Sequence, residues 1–443
     1  MSKAYKFCAI LVLLCCAAVP QTAQGKVYID IYNPSSRSLP IVIPPFSSGG
    51  DFDREGIASK AAQIIGDDLD FSGVFRAVDP SAAGVALVEG GRPKWDKIAM
   101  LGAEAVIVGA MTINADRIVL ELRLYDAVQQ KEIAAKKYDG LVEDYRLIAH
   151  KFANEVFKTL TGARGVFDAK LAYVKSDLPN KEICISDYDG AGARQLTNYR
   201  SLSLGPAWSH DGRQLAFTSY KDGNPNLYVL GVEMYRGVAK GPAKLVSKKK
   251  GVNITPSWSP DDTRIALTLN LNNGNSEIYI HTLATAALER VTNDWATDVS
   301  PDWSPDGKMI TWVSDRTGGP QIYTVNLSSG RIKRISFNES SYNTSPAWSP
   351  RGDRIAYVGQ VGGRFNIFIA STDGQYQKQI TSGQGNNEDP AWSPDGRYLA
   401  FSSSRTGQKE IYIMRADGIG AKRITFGKGA KTEPAWSPSL SNQ

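Results

Sequence analysis

The tetrapeptide Pro-x-Trp-Ser recurs six times in this chain, around Trp208, Trp258, Trp303, Trp348, Trp392 and Trp436, at spacings of 50, 45, 45, 44 and 44 residues. A fixed period of this length means one supersecondary unit stacked repeatedly, because a single unit cannot bury its apolar face alone. Most copies run into a turn such as Pro305-Asp306-Gly307, Pro394-Asp395-Gly396 or His210-Asp211-Gly212. There the glycine and the Asp side chain satisfy tight-turn geometry. A short strand follows with a small residue between larger ones, as in Leu215-Ala216-Phe217 and Leu399-Ala400-Phe401. That period of two places bulk on one sheet face. A third strand (Asn226-Leu227-Tyr228, Glu410-Ile411-Tyr412) and a fourth (Arg290-Val291-Thr292, Arg334-Ile335-Ser336, Arg423-Ile424-Thr425) complete the unit. The basic residue of the fourth suits an outer edge. Four radially repeated strands make a propeller blade.

The ends are out of phase. Leu171-Ala172-Tyr173 is a second strand without a first, and Trp436-Ser437-Pro438 is a first strand without a second. Joined, they make the sixth blade, so a C-terminal strand closes the ring. The expected architecture is therefore two domains: a small α+β domain over residues 26–164, then an all-β six-bladed propeller over 165–443. In the first domain strands are expected at 27–31 and 40–46, helices at 54–69, 95–101 and 144–160, and a meander at 106–111, 117–124 and 132–138. The last helix carries Leu147, Ile148, Phe152, Val156, Phe157 and Leu160 on one face.

Residues 1–25 read as a secretory signal: Lys3 and Lys6, a 13-residue apolar run from Phe7 to Val19, and small residues for cleavage between Gly25 and Lys26. A membrane anchor and a lipoprotein signal at Cys15 or Cys16 are the rival readings, but the run is too short to span a bilayer and Leu14 stands where lipid attachment needs a small residue. Removing Lys3 and Lys6 leaves 49 basic against 45 acidic residues, too weak a bias for nucleic-acid binding. Cys8, Cys15 and Cys16 lie in the signal, which leaves Cys184 alone and excludes an intrachain disulfide.

No Gly-x-Ser-x-Gly elbow, phosphate loop or zinc-spaced Cys/His cluster occurs. The three histidines, His150, His210 and His281, fall on separate elements, so no cofactor or metal is expected. The repeated Asp211, Asp261, Asp306 and Asp395 share one phase of the repeat and serve its turn; the six tryptophans are blade core, and Cys184 aligns with the third-strand aromatics. Function should sit where blades differ, just before each Pro-x-Trp-Ser, in loops ringing one mouth of the central channel. Those pairs are Leu204-Gly205, Ile254-Thr255, Val299-Ser300, Thr344-Ser345, Glu388-Asp389 and Thr432-Glu433. A mouth that is apolar on one side and acidic on the other suits an extended protein segment. The lysines at 244, 248, 249 and 250 read as a solvated loop.

Signal, α+β domain and six Pro-Ala-Trp-Ser-Pro-Asp-Gly-like units together resemble the TolB family of Tol-Pal system proteins. The run Leu39-Pro40-Ile41-Val42-Ile43-Pro44-Pro45-Phe46 is similar to the family's first strand. The resemblance implies a periplasmic, non-enzymatic and monomeric protein supporting outer-membrane integrity and constriction at division. It implies binding of the lipoprotein Pal at the propeller mouth, with Thr432, Glu433, Glu388 and Asp389 the foremost candidates. It also implies binding of the inner-membrane protein TolA by the arm Lys26, Val27, Tyr28, Ile29, Asp30 and Ile31. Other outer-membrane proteins and bacteriocins are further implied partners. Tyr32-Asn33-Pro34 departs from the Gly-containing stretch the family carries there. A secreted propeller hydrolase or lyase is the alternative reading.

Overall fold

The computed structural model describes residues 37–439 except 51, 52, 54, 55, 178, 272, 273 and 384. The signal, its Gly25–Lys26 junction and the arm at residues 26–31 lie outside the described residues.

The first domain is a mixed sheet with two long helices on one face. Strand β1 (Leu39–Val42) is buried throughout and lies centrally. It ends at Val42, short of the expected 46, where Pro44 and Pro45 remove ladder donors. The chain then forms β2 (Ser47–Gly50) and α1 (Ile57–Phe71). Helix α1 buries Ile57, Ala58, Ala61, Ala62, Ile65 and Leu69, a helical stripe facing the sheet. Strand β3 (Phe75–Val78), which the sequence pattern does not announce, pairs in parallel with β1, Leu39 opposite Phe75. A hairpin of β4 (Val88–Glu89) and β5 (Arg92–Pro93) leads to α2 (Trp95–Met100). The expected meander follows as β6 (Ala105–Asn114), β7 (Arg117–Asp126) and β8 (Lys131–Leu141), then α3 (Tyr145–Thr161), capped by Gly162 at φ 75°. Sheet order is β3-β1-β6-β7-β8, with β2 beside β6.

The rest is a six-bladed propeller. Blades 1 to 5 begin with the strands Ser203–Trp208, Asn253–Trp258, Asp298–Trp303, Asn343–Trp348 and Asn387–Trp392. Blade 6 joins Ala430–Trp436 to Lys170–Asp177, Asn180–Asp187 and Arg194–Gln195, with Trp436 opposite Leu171. The ring is thus closed by the strand that phase requires. All six repeat tryptophans are buried. In the turns, Ser209, Ser259, Ser304 and Ser393 donate to Asp211, Asp261, Asp306 and Asp395 at 2.5–2.7 Å. Those carboxylates are turn structure.

Two expectations change. The fourth strands stop at the arginine: Leu288–Arg290, Ile332–Arg334 and Lys422–Arg423. The hydroxyl two residues on takes over the pairing: Thr292, Ser336 and Thr425 accept the N–H of Ile278, Ile322 and Ile411 at 2.8–2.9 Å. Thr292 and Thr425 also donate to the buried Glu277 and Glu410. Arg290 and Arg423 neutralise those carboxylates at 2.9 and 2.8 Å, so their charge serves more than edge protection. Second, the lysine-rich insertion is partly ordered in blade 1: Lys244–Ser247 is a strand paired with Asn226–Glu233.

One apolar cluster crosses from the first domain into blades 5 and 6, joining Phe152, Phe157 and Phe167 to Leu171, Tyr398, Ile413 and Trp436. Phe71 stacks on Tyr398 with ring centroids 4.7 Å apart. Within this seam His150 Nδ1 meets Asp68 at 2.7 Å, and the Tyr188 hydroxyl donates to the other Asp68 oxygen at 2.6 Å. Arg146 donates to Asp187 at 3.0 Å and Asp189 at 2.6 Å, and Lys170 reaches Asp187 at 2.5 Å. The first domain therefore docks on the end of the ring that carries the first-to-second and third-to-fourth strand turns.

Candidate functional site: the central channel and its mouth

The six first strands touch their neighbours all the way round, 203–208 meeting both 253–258 and 430–436. Together they form the channel wall. The residues expected in entry loops lie inside these strands instead. Leu204, Ile254, Val299, Thr344, Glu388 and Thr432 pair with the second strand, and the register then slips between each of them and the residue immediately before the tryptophan. At each slip sits a left-handed residue: Gly205 (φ 59°), Thr255 (53°), Ser300 (56°), Ser345 (51°), Asp389 (56°) and Glu433 (53°). Five of these six are not glycine, and such a conformation costs an L-residue about 1–2 kcal/mol. A strained position repeated once per blade is held by the bulge that every blade contains.

This ring lies three residues before each tryptophan, toward the channel end away from the first domain. Its chemistry is uneven. Leu204, Ile254 and Val299 give blades 1 to 3 an apolar sector, and Thr344 and Ser345 make blade 4 neutral and polar. Blades 5 and 6 hold the acids. Glu388 is paired with Lys409 at 2.6 Å, so its charge is compensated. Asp389 accepts from the Ser402 hydroxyl at 2.8 Å and from the Glu433 N–H at 3.3 Å. Glu433 in turn accepts the Gly205 N–H at 2.6 Å, tying blade 6 to blade 1. Burial first, then the neighbouring Asp389, pushes the Glu433 carboxyl up to about 7 against the pull of Gly205, Lys181 and Lys409.

Sequence reasoning missed a further acid on the wall. Asp302 occupies the position filled by Ala207, Ser257, Ala347, Ala391 and Ala435 elsewhere. It accepts from the Ser257 hydroxyl and the Trp348 N–H, both at 2.7 Å, joining blades 2, 3 and 4. Burial raises its carboxyl above the usual range. The signal was present as the one acid at an otherwise small-residue phase. Around the outside, Trp295 and Phe426 are 77% and 68% exposed on the connections entering blades 3 and 6.

The histidines stay apart, as their elements require, yet His150 lies within 4.8 Å of Asp187 and Asp189. Arg146 and Lys170 already hold those two carboxylates, and a cation there would have to displace them. Cys184 is buried, and burial pushes its thiol up to about 11, which suppresses the thiolate.

The model of the TolB beta propeller domain matches residues 157–384 and 344–442, and that of the TolB amino-terminal domain matches residues 27–133. The chain belongs to the TolB family. It is 37% identical over 294 residues to the Tol-Pal system protein TolB of Desulfosudis oleivorans, covering 65% of this chain and 64% of that one. It is 36% identical over 276 residues to the protein TolB homolog of Chlorobaculum tepidum, covering 62% and 61%. These matches span less than two thirds of either relative's length. The crystal structure of TolB from Acinetobacter baumannii superposes with a TM-score of 0.78 at 26% identity, over 91% of this chain and 97% of that chain. The TolB match therefore extends across both domains. Among the described residues no helix is long and apolar enough to cross a membrane.

Proposed function

We propose that this chain is the TolB component of a Tol-Pal envelope assembly and acts by binding proteins. In this reading it is exported to the periplasm, where residues 26–31 engage TolA and the propeller mouth engages Pal. Bridging the two membranes supports outer-membrane integrity and constriction at division. The observation that carries the reading is the unequal ring, with Leu204, Ile254 and Val299 facing an acidic sector of Asp389 and Glu433. Apolar area supplies burial, and the acids fix orientation.

Isothermal titration of Pal into the mature protein tests the mouth. Reversing charge with Glu433→Lys should weaken the complex by at least ~1 kcal/mol, as loss of a central contact does. Unchanged affinity in a variant that melts like the parent would sink the placement. Deleting residues 26–38 should abolish TolA binding while leaving propeller unfolding unaltered. Loss of both together would make that segment structural.

A further inference from the structure

Asp389 and Glu433 face each other from adjoining first strands, and neither can swing away freely. Both backbones are fixed in the left-handed region, the Glu433 carboxylate is held by the Gly205 N–H, and the Asp389 carboxylate by Ser402 and the Glu433 N–H. The cations nearest Glu433 are Lys181, at the start of blade 6's third strand, and Lys409 of blade 5. Lys409 is already committed to Glu388 at 2.6 Å. Among the described residues neither acid is in an ion pair, and the pull of Lys181 and Lys409 does not outweigh burial and the Asp389 charge at Glu433.

We propose that docking of a partner over this mouth takes up one proton onto Glu433, beside the Asp389 carboxylate, so that association tightens as pH falls through neutrality. The inference rests on the reading that this mouth is the partner site. Docking removes water from the rim, and two carboxylates in one dehydrated site cannot both stay ionised. A partner surface seated on Leu204, Ile254 and Val299 covers the same mouth and desolvates the pair, and the coupling holds for a partner that lays no cation on it. In the free protein Glu433 titrates at about 7. Occlusion raises it further, and the difference between free and bound states is the coupling.

The test is calorimetric titration of Pal at pH 6, 7 and 8, in two buffers of different ionisation heat, with the mature protein and Glu433→Gln. The expected affinity loss approaches tenfold per pH unit above 7, the limit for one linked proton. Buffer-dependent heats should report uptake near one proton at pH 8. Glu433→Gln, which keeps an acceptor for Gly205 but cannot ionise, should lose both the slope and the buffer dependence. Proton release, a flat profile in the parent, or a slope retained in Glu433→Gln would overturn the coupling and leave the mouth as the Pal site. Absence of Pal binding at all three pH values would overturn the coupling and the site together.

Discussion

His150 Nδ1 lies 2.7 Å from an Asp68 carboxylate oxygen in the seam where helix α3 of the first domain meets α1 and blade 6. Both residues are buried, and the Tyr188 hydroxyl caps the same carboxylate from the propeller side. Beyond them Asp187 and Asp189 face Arg146 and Lys170. Asp68, Asp187 and Asp189 thus face two permanent cations, Arg146 and Lys170, and a proton on the His150–Asp68 pair offsets the third carboxylate.

That proton sets a pH dependence. Burial works against the imidazolium, but Asp68, Asp189 and Asp187 outweigh it and raise the His150 value above the ordinary one. The folded chain therefore holds the proton to higher pH than the unfolded chain, whose histidine titrates at about 6.5. The stabilisation is fully present below that value and is lost as pH rises through the folded value. Thermal melts between pH 6 and 9 should show the unfolding midpoint falling with pH more steeply in the parent than in His150→Gln. Parallel slopes would contradict this.

Glu410 is fully buried and meets Lys431, also buried, at 3.3 Å and Arg423 at 2.8 Å. Removing one member of a buried set leaves the others uncompensated, at about 3–5 kcal/mol. Urea unfolding of Glu410→Ala should lose stability on that scale. Replacing Glu410 and Lys431 together by Gln and Met should recover part of it, because the stranded charge is gone.

Ser345 sits at φ 51° in a bulge that its neighbours impose. Ser345→Gly should be neutral or slightly stabilising in denaturant titration. Ser345→Val, with a branched side chain in the left-handed region, should cost at least ~1–2 kcal/mol. Equal stability of the two variants would mean that the strand relaxes out of the bulge.

Trp436 packs in the closing blade, stacked on Tyr188 at 6.3 Å, within the cluster shared by both domains. Truncating a buried Trp costs about 3–5 kcal/mol. In Trp436→Ala, calorimetry should show both domains destabilised in one transition. Trp348→Ala, in a cluster confined to blades 3 and 4, should leave the first domain's contacts intact.

The propeller is legible because its scaffold residues repeat: a tryptophan every 44 to 50 residues and a turn aspartate behind it report the blade directly. The left-handed ring is not, since Gly205 is the only member whose identity betrays its backbone. Thr255, Ser300 and Ser345 look like ordinary strand residues, and only the register slip shows that the chain bends there. The sequence pattern therefore puts the six pairs in loops, whereas they lie inside the first strands. The seam was out of reach for a different reason. His150 and Tyr188 lie 82 and 120 positions from Asp68 along the chain, and no periodicity links them. Strand β3 was missed because four residues show too little alternation to stand out.

The strand Ala430–Trp436 shuts the ring and also carries Thr432 and Glu433. The first domain, five whole blades and three strands of the sixth all precede this strand in the sequence. Without it blade 6 lacks its innermost member and Asp389 lacks its acidic neighbour. Closure of the ring and completion of the Asp389–Glu433 pair are thus one event: displacing this strand opens the ring and removes Glu433 from the wall together.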